Sequence, residues 1–370
     1  RLHRSASSRM SHPAISIQSG GGWTFGSPSV LMMFYRAPGE LESELAEMDE
    51  CMPHYYRVTN RHGQGAETIM RAEALFYQGH VTDAHIELER AYAQVGGNGQ
   101  INMALCCDFL SWRLSLHTDV ERRYTFSERY AALLRYHDAS WINIWSATSA
   151  YYHALRGETD KIPEIFSQHR LSDIHLLAPG KPMMEMIENQ VYLAQGAYAK
   201  VVVRSAELLA ACEAMHYALV ALHIRIQTAA AYARLGKPET AHTWLQKALS
   251  DAGPDGLVMP FAENYSLLKP LLARETRSAF TARITAIGEA AQARGAERLR
   301  PAAFRALTAR EFEIVELMVQ RLSNREIAQK CYLSEGSVKQ YVNQIYSKLH
   351  IEGDTRTKRA QLAALLHEKT

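Results

Sequence analysis

The stretch LTAREFEIVELMVQRLSNREIAQKCYLSEGSVKQYVNQIYSKLH, residues 307–350, decides the fold of the C-terminal part of this chain. Thr308 and Glu311 have the spacing of a capping box, in which each side chain bonds the backbone amide of the other residue. Ser323 and Ser334 stand where a hydroxyl can cap the next two helices. We therefore predict three helices, the second and third joined by a tight turn, which is the geometry of a helix-turn-helix.

The third of these helices, from Glu335 to about Lys348, is amphipathic. Val338, Val342 and Ile345 share its apolar face, which predicts core positions and not DNA contacts. The opposite face is polar and has only Glu335 as an acid, whereas an ordinary surface helix carries more carboxylates. Such side chains can bond base edges and phosphates, although single residues could also be merely solvated. The predicted DNA-binding residues are Ser334, Ser337, Lys339, Gln340, Asn343, Gln344 and Lys348.

Three short runs resemble the LuxR/FixJ family of regulators: Leu-Thr-x-Arg-Glu (307–311), Leu-Ser-Asn-Arg-Glu-Ile-Ala (322–328) and Leu-Ser-Glu-Gly-Ser-Val-Lys (333–339). The resemblance implies a four-helix domain whose third helix enters the major groove. It also implies dimerisation through the fourth helix, which matches Thr355 to Leu366.

Matched position by position, the resemblance makes Lys339, Gln340 and Asn343 the groove-facing residues. Tyr341 stands where the family often has His, and the loop 351–354 differs from the commoner family pattern. The resemblance therefore implies neither the operator sequence nor the dimer geometry.

Breaks between helices recur every 38 to 40 residues in the preceding part of the chain. The breaking residues are Gly79, His117, Gly157, Gly196 and Gly236. In two copies alanines follow the glycine by five and twelve positions, where small residues let antiparallel helices approach closely. The spacing resembles tetratricopeptide-type repeats, lengthened from the usual ~34 residues. Any all-helical bundle of such long hairpins would show similar breaks, but either interpretation predicts a stack of helical hairpins.

These patterns predict an all-α fold, a tetratricopeptide-like helical-hairpin solenoid followed by a four-helix LuxR-type helix-turn-helix domain. We expect an irregular N-terminal segment at 1–37, a helical repeat domain at 38–290, a linker at 291–306 and the DNA-binding domain at 307–370. A hairpin stack exposes a long concave surface, which suits a ligand or a protein partner.

The formal net charge of +2 excludes a globally basic nucleic-acid-binding surface, so any affinity for DNA must be local. The last seventy residues carry a net charge of +3, with eleven Lys or Arg against eight Asp or Glu. The five scattered cysteines favour reduced thiols and a cytoplasmic location, and no stretch has the apolar length of a membrane span.

No signature of a catalytic or metal site occurs in the chain. The motifs H-E-x-x-H and G-x-S-x-G are absent, and no Cys or His spacing suits zinc. We therefore predict no catalytic residue, no metal site and no enzyme activity. The aromatic residues Trp141, Trp145, Tyr151 and Tyr152 are expected in the repeat core, with a sugar platform as the alternative.

A helical arm followed by a LuxR-type domain resembles the large MalT-like ATP-dependent regulators. Those proteins need a phosphate-binding loop, and no G-x-x-x-x-G-K-[ST] occurs here. We therefore expect no cofactor in this chain, with ATP bound only by a domain upstream of Arg1. Since the chain begins at Arg1 and not at methionine, we expect the C-terminal part of a longer regulator, or a relative that has lost its ATPase.

The sequence thus predicts a DNA-binding transcription regulator whose helical arm senses a signal. Its expected partners are a double-stranded DNA operator, a second copy of the chain on DNA, RNA polymerase, and a small-molecule or protein effector on the repeats. The alternative is a helical scaffold for protein contacts whose terminal helices do not read DNA.

Overall fold

The computed structural model describes residues 27–58, 61, 63–96, 100–120, 122–135, 139–176, 178–276 and 278–367. The chain divides into two compact units, with the boundary between Ala291 and Gln292. The described residues form helices and no strands, which confirms the all-α prediction. No helix among them has the length and apolar character needed to cross a membrane. Residues 1–26 of the predicted N-terminal segment lie outside the described part.

The first unit is a succession of helices of very different lengths, and the last of them crosses the boundary between the two units. Their bounds are α1 (Leu31–Phe34), α2 (Leu41–Val58), α3 (Ala66–Tyr77), α4 (Val81–Gly96), α5 (Ile101–Leu114), α6 (Phe126–Leu133), α7 (Ala139–Leu155), α8 (Glu164–Ser167), α9 (Lys181–Ala194), α10 (Tyr198–Met215), α11 (Ala218–Arg234), α12 (Pro238–Ala252), α13 (Met259–Glu263), α14 (Tyr265–Leu272) and α15 (Ala279–Leu299). We call the part of the chain from α2 to α15 the arm.

Gly79, Gly196 and Gly236 each lie between two long helices, as the repeat predicted, whereas Gly157 is followed only by the four-residue helix α8. Gly79, Gly157, Gly196 and Gly236 have φ angles of 69–80°, the left-handed conformation that ends a helix at low cost only with glycine. At Gly79 the space is also limited, because a Cβ atom would lie 2.8 Å from Val258 and 2.9 Å from Ile287. The fifth break, at His117, is a turn without a positive φ angle.

The small residues predicted in two copies of the repeat lie at buried positions in the hairpins that follow Gly79 and Gly236. Fully buried are Ala84, Ala91, Ala241 and Ala248. The aromatic cluster also belongs to the core: Tyr151 and Tyr152 are buried, and the indole of Trp145 donates a hydrogen bond to the carbonyl of Phe126 (3.1 Å). This packing supports the repeat-core interpretation of the cluster and not a sugar platform.

The segment at 27–37, which we expected to be irregular and separate, instead packs into the arm. Leu31 is buried, and its amide donates to the buried carboxylate of Glu73 (2.7 Å). Further along, the carboxylate of Asp255 accepts hydrogen bonds from the Tyr35 hydroxyl and the Gly39 amide, both at 2.5 Å. The segment is thus bonded both to α3 and to the connection between α12 and α13.

A buried ion pair lies at the centre of the arm. Arg113 and Glu263 have side chains 1% and 0% exposed, and they form two parallel bonds of 2.7 and 2.9 Å. Arg113 also donates to the Tyr77 hydroxyl (2.9 Å), which bonds Nε2 of His223 (3.2 Å). Burial, and then the charge of Arg113, hold the pKa of His223 well below its usual range, which favours a neutral imidazole.

The structure is more regular than expected in the predicted linker at 291–306. Helix α15 continues through this range to Leu299, and Phe304 is fully buried in the core of the second unit. Arg300 donates to the carbonyl of Leu307 (2.5 Å), which fixes the chain before the next helix. The Ala-rich and Arg-rich composition that suggested a linker also suits a helix.

The second unit adds four helices, α16 (Ala309–Val319), α17 (Asn324–Cys331), α18 (Glu335–Lys348) and α19 (Thr355–His367). They enclose a small apolar core. Its buried members include Ile314, Val315, Met318, Ile327, Val338, Ile345 and Leu362.

Candidate nucleic-acid interface

Three side-chain caps start the first three helices of the second unit. Thr308 and Glu311 form the predicted capping box, with the Thr308 amide donating to the Glu311 carboxylate (2.7 Å). Ser323 caps α17 as predicted and forms a second capping box with Glu326, which the sequence analysis did not identify. Bonds from Ser323 lower the pKa of the Glu326 carboxyl, so this cap is ionised near neutral pH.

A tight turn separates α17 from α18. Tyr332 adopts the left-handed conformation (φ 54°) and ends α17, while the Leu333 amide donates to the Ala328 carbonyl (2.9 Å). Ser334 then caps α18, accepting a bond from the Ser337 amide (3.0 Å). Two short helices joined in this way form the predicted helix-turn-helix, with α18 in the position of the recognition helix.

The core face of α18 follows the predicted periodicity. Val338 and Ile345 are fully buried, and Val342 and Leu349 are half-buried against the same core. This packing fixes which side of α18 faces outward.

The outward face of α18 carries four of the predicted DNA-binding residues: Lys339, Gln340, Asn343 and Gln344 are all exposed. With about 100° between successive helical residues, Gly336, Gln340, Asn343 and Ser347 fall on one line, which we call the reading stripe. Lys339 and Gln344 flank this stripe. Glu335, the one acid of α18, lies 3.5 Å from Lys339 and leaves the stripe free of carboxylates.

The remaining predicted DNA-binding residues have partners inside the domain. The hydroxyls of Ser334 and Ser337 bond each other (2.8 Å) at the start of α18. The Lys348 ammonium donates to the Glu311 carboxylate (2.8 Å) and so ties the end of α18 to the start of α16. Burial opposes ionisation of Glu311, but the bonds from Lys348 and Thr308 outweigh it and lower the pKa of the carboxyl.

One flank of α18 opens into a groove of about 730 Å³ that the sequence analysis did not identify. We call it the flank groove. It is lined by Arg321, Ser323, Asn324, Arg325, Glu326, Glu335, Lys339, Val342, Asn343, Tyr346, Lys358 and Arg359. The sequence signal was weak, because these cations are distributed over three helices and their connections.

Metal ligands are not gathered anywhere in the described part of the chain. No group of three or more His, Cys, Asp or Glu side chains there could hold a metal ion.

Comparison with known proteins gives matches to the C-terminal part of the chain. Residues 305–360 match the luxR family of bacterial regulatory proteins. The transcriptional regulatory protein LnrK of Bacillus subtilis (strain 168) is 44% identical over 50 residues, which are 14% of this chain. The match covers 23% of the length of LnrK. No solved structure matches the chain at a significant level. The chain thus carries a LuxR-type helix-turn-helix domain at its C-terminal end.

Proposed function

We propose that this protein is a transcription regulator that binds a double-stranded DNA operator through α18. The observation that carries the proposal is the reading stripe with its flanking residues. Lys339, Gln340, Asn343 and Gln344 are exposed on one side of a helix whose opposite side is fixed by the domain core. Amide side chains can recognise base edges in the major groove, and lysine adds attraction to phosphate.

The test uses the full chain and an operator selected by the wild-type protein from a random duplex library. Replacing Lys339→Ala together with Asn343→Ala removes one cation and one amide from the outward face of α18. We expect the ratio of specific to non-specific binding to fall at least tenfold, since a good base contact contributes about 1–3 kcal/mol of discrimination.

The matched control removes the same kinds of group from exposed helical positions elsewhere. Lys200→Ala with Gln292→Ala should leave operator affinity within about twofold of the wild type, because both side chains are exposed outside α16–α19. If the α18 variant keeps its operator affinity, its specificity ratio and its salt dependence, the proposal that this helix reads DNA is wrong. The scaffold alternative would then be favoured.

We further propose that the DNA-bound form is a homodimer joined through α19. The outward face of this helix, formed by Thr357, Ala360, Gln361 and Ala364, is uncharged and mostly small. Leu362, on the opposite side, is fully buried in the domain core, so the outward face is available for a second copy. Contact with RNA polymerase stays a hypothesis for the same regulator.

For the arm, we propose that it receives a small-molecule or protein effector. The proposal is supported by the hairpin stack, a fold that commonly binds partners. A MalT-like origin, with ATP bound by another domain, stays a hypothesis, and we propose no catalytic step for this chain.

A further inference from the structure

The flank groove combines cations from three helices and one connection. Arg321 lies in the α16–α17 connection and Arg325 in the first turn of α17, Lys339 comes from α18, and Lys358 and Arg359 come from α19. A solvated helix surface spreads its charges and pairs them along one helix. Convergence of five cations on one groove is typical of a site for a polyanion.

The two acids of the flank groove are already engaged. Glu326 accepts bonds from Ser323 in the capping box, and Glu335 lies 3.5 Å from Lys339. Within the described part of the chain, Arg321, Arg325, Lys358 and Arg359 form no ion pair with a carboxylate. The groove therefore presents four unneutralised cations to a ligand.

Tyr346 holds the α19 cations toward the groove. Its ring is buried, and the Lys358 ammonium lies 5.4 Å from the ring centroid, within range of a cation–π contact. Burial raises the pKa of the Tyr346 phenol, while the adjacent charge of Arg359 lowers it and so partly offsets that rise. Both cations are half-buried and do not extend freely into solvent.

The flank groove is continuous with the reading stripe. Asn343 belongs to both, and Lys339, which also lines the groove, flanks the stripe. The major groove is about 12 Å wide and an α-helix with its side chains about 10 Å, so a helix inserted there has a sugar-phosphate backbone beside each flank. A backbone beside this flank of α18 meets the groove directly.

We propose that the flank groove seats the sugar-phosphate backbone of one DNA strand, with Lys358 and Arg359 contacting phosphates from outside the helix-turn-helix. The inference rests on the proposed function, because it assumes that α18 lies in a DNA major groove. It gives α19 two separate surfaces, the half-buried cations toward DNA and the small outward face toward a second copy. An acidic protein segment is the other candidate occupant of the flank groove. It is less favoured, because nothing requires such a segment to lie beside the reading stripe, as a DNA backbone does.

The test replaces Lys358→Gln and Arg359→Gln together in the full chain and measures affinity against salt on the selected operator. Each phosphate contact contributes about 0.9 to the log–log salt slope, so we expect the slope to fall by about 1 to 2. The ratio of specific to non-specific binding should stay within about twofold, because phosphate contacts carry no base information. The variant Lys358→Arg with Arg359→Lys should keep the wild-type slope.

A matched control removes the same charge from the arm. Lys200→Gln with Arg234→Gln changes two exposed cations and should leave the slope unchanged. Circular dichroism and sedimentation should show the wild-type fold and oligomeric state for every variant. An unchanged salt slope in the α19 variant overturns the proposal and favours the acidic-segment occupant. This conclusion holds also if the variant dimerises more weakly than the wild type.

The proposal and the proposed function fail in different ways. If the wild-type chain selects no operator, sequence-specific reading fails, yet the slope difference can still be measured on non-specific duplex. If the operator is selected and the α19 variant loses its specificity ratio, these residues read bases and the phosphate assignment is wrong.

Discussion

At the scale of single residues, Gly336 leaves the first turn of the reading stripe without a side chain. A Cβ atom there would lie 3.7 Å from the Ser334 hydroxyl, an ordinary contact, and the φ angle of Gly336 is not in the left-handed region. The free domain therefore does not require glycine at this position. The absence of a side chain matters only if another molecule approaches the backbone closely.

The variant Gly336→Ala should separate folding from binding. Alanine in this first turn should stabilise the free domain by up to about 0.5–1 kcal/mol, because glycine loses more backbone entropy on folding. Operator affinity should nevertheless fall severalfold, since the methyl group occupies the line of approach. Hydrogen exchange of α18 and an operator titration measure the two effects. Improved affinity together with improved stability would show that DNA does not approach this turn.

The stability of the second unit depends on pH through Glu311. Its pKa is lowered in the folded chain, so the carboxylate adds stability that is fully present above the unfolded pKa and is lost as the pH falls through the folded pKa. The variant Glu311→Gln should weaken protection of the α16 amides at neutral pH, by about 1–3 kcal/mol, because the cap and the Lys348 ammonium lose their charged partner.

Comparing hydrogen exchange of wild type and variant at each pH tests this coupling. The difference between them should shrink toward low pH, where the wild-type carboxyl is protonated. Glu316→Gln, at an exposed position of the same helix, is the control and should leave the protection of α16 nearly unchanged. If the difference persists at low pH, the effect of the substitution comes from changed packing and not from the charge of Glu311.

At the scale of elements, the predictable features were those with local causes. Capping serines and threonines start helices within three residues of themselves, and glycines end hairpins through their own φ angles. The periodicity of Val338 and Ile345 also placed the outward face of α18 correctly. These signals need no knowledge of distant parts of the chain.

Elements brought together by tertiary packing could not be predicted from the sequence. The bond between Lys348 and Glu311 joins residues 37 positions apart, and it engages a lysine that we had expected on DNA. The flank groove depends on α19 lying beside α18. Likewise, α1 contains four residues and has no periodicity, so only its burial beside Glu73 shows that it packs against the arm.

At the scale of the whole molecule, the arm is held by a polar centre and not by apolar packing alone. Arg113 lies over the rings of Phe76, Tyr77 and Phe109, with its Cζ atom 4.6–5.1 Å from their centroids. It also bonds Glu263 on α13, so helices distant in sequence share one cation. Removing one member of such a buried pair leaves a charge without compensation.

We expect Glu263→Gln to lower the free energy of unfolding of the arm by about 3–5 kcal/mol, measured by urea titration with tryptophan fluorescence. Four of the five tryptophans, Trp112, Trp141, Trp145 and Trp244, lie in the arm and report on it. The exposed pair Arg274 and Glu239, at 2.8 Å, is the matched control. Glu239→Gln should cost less than about 1 kcal/mol, because solvent already screens that pair.

A double-mutant cycle then separates the ion pair from packing. Arg113→Met removes the cation and keeps most of the volume, so the combination with Glu263→Gln should cost clearly less than the sum of the two single changes. The coupling arises because the second change no longer strands a buried charge. Additive costs would mean that Arg113 and Glu263 stabilise the arm independently, through the aromatic rings and the α13 backbone. The polar centre would then be a consequence of the fold, and the bond between Arg113 and Glu263 would not be what holds these helices together.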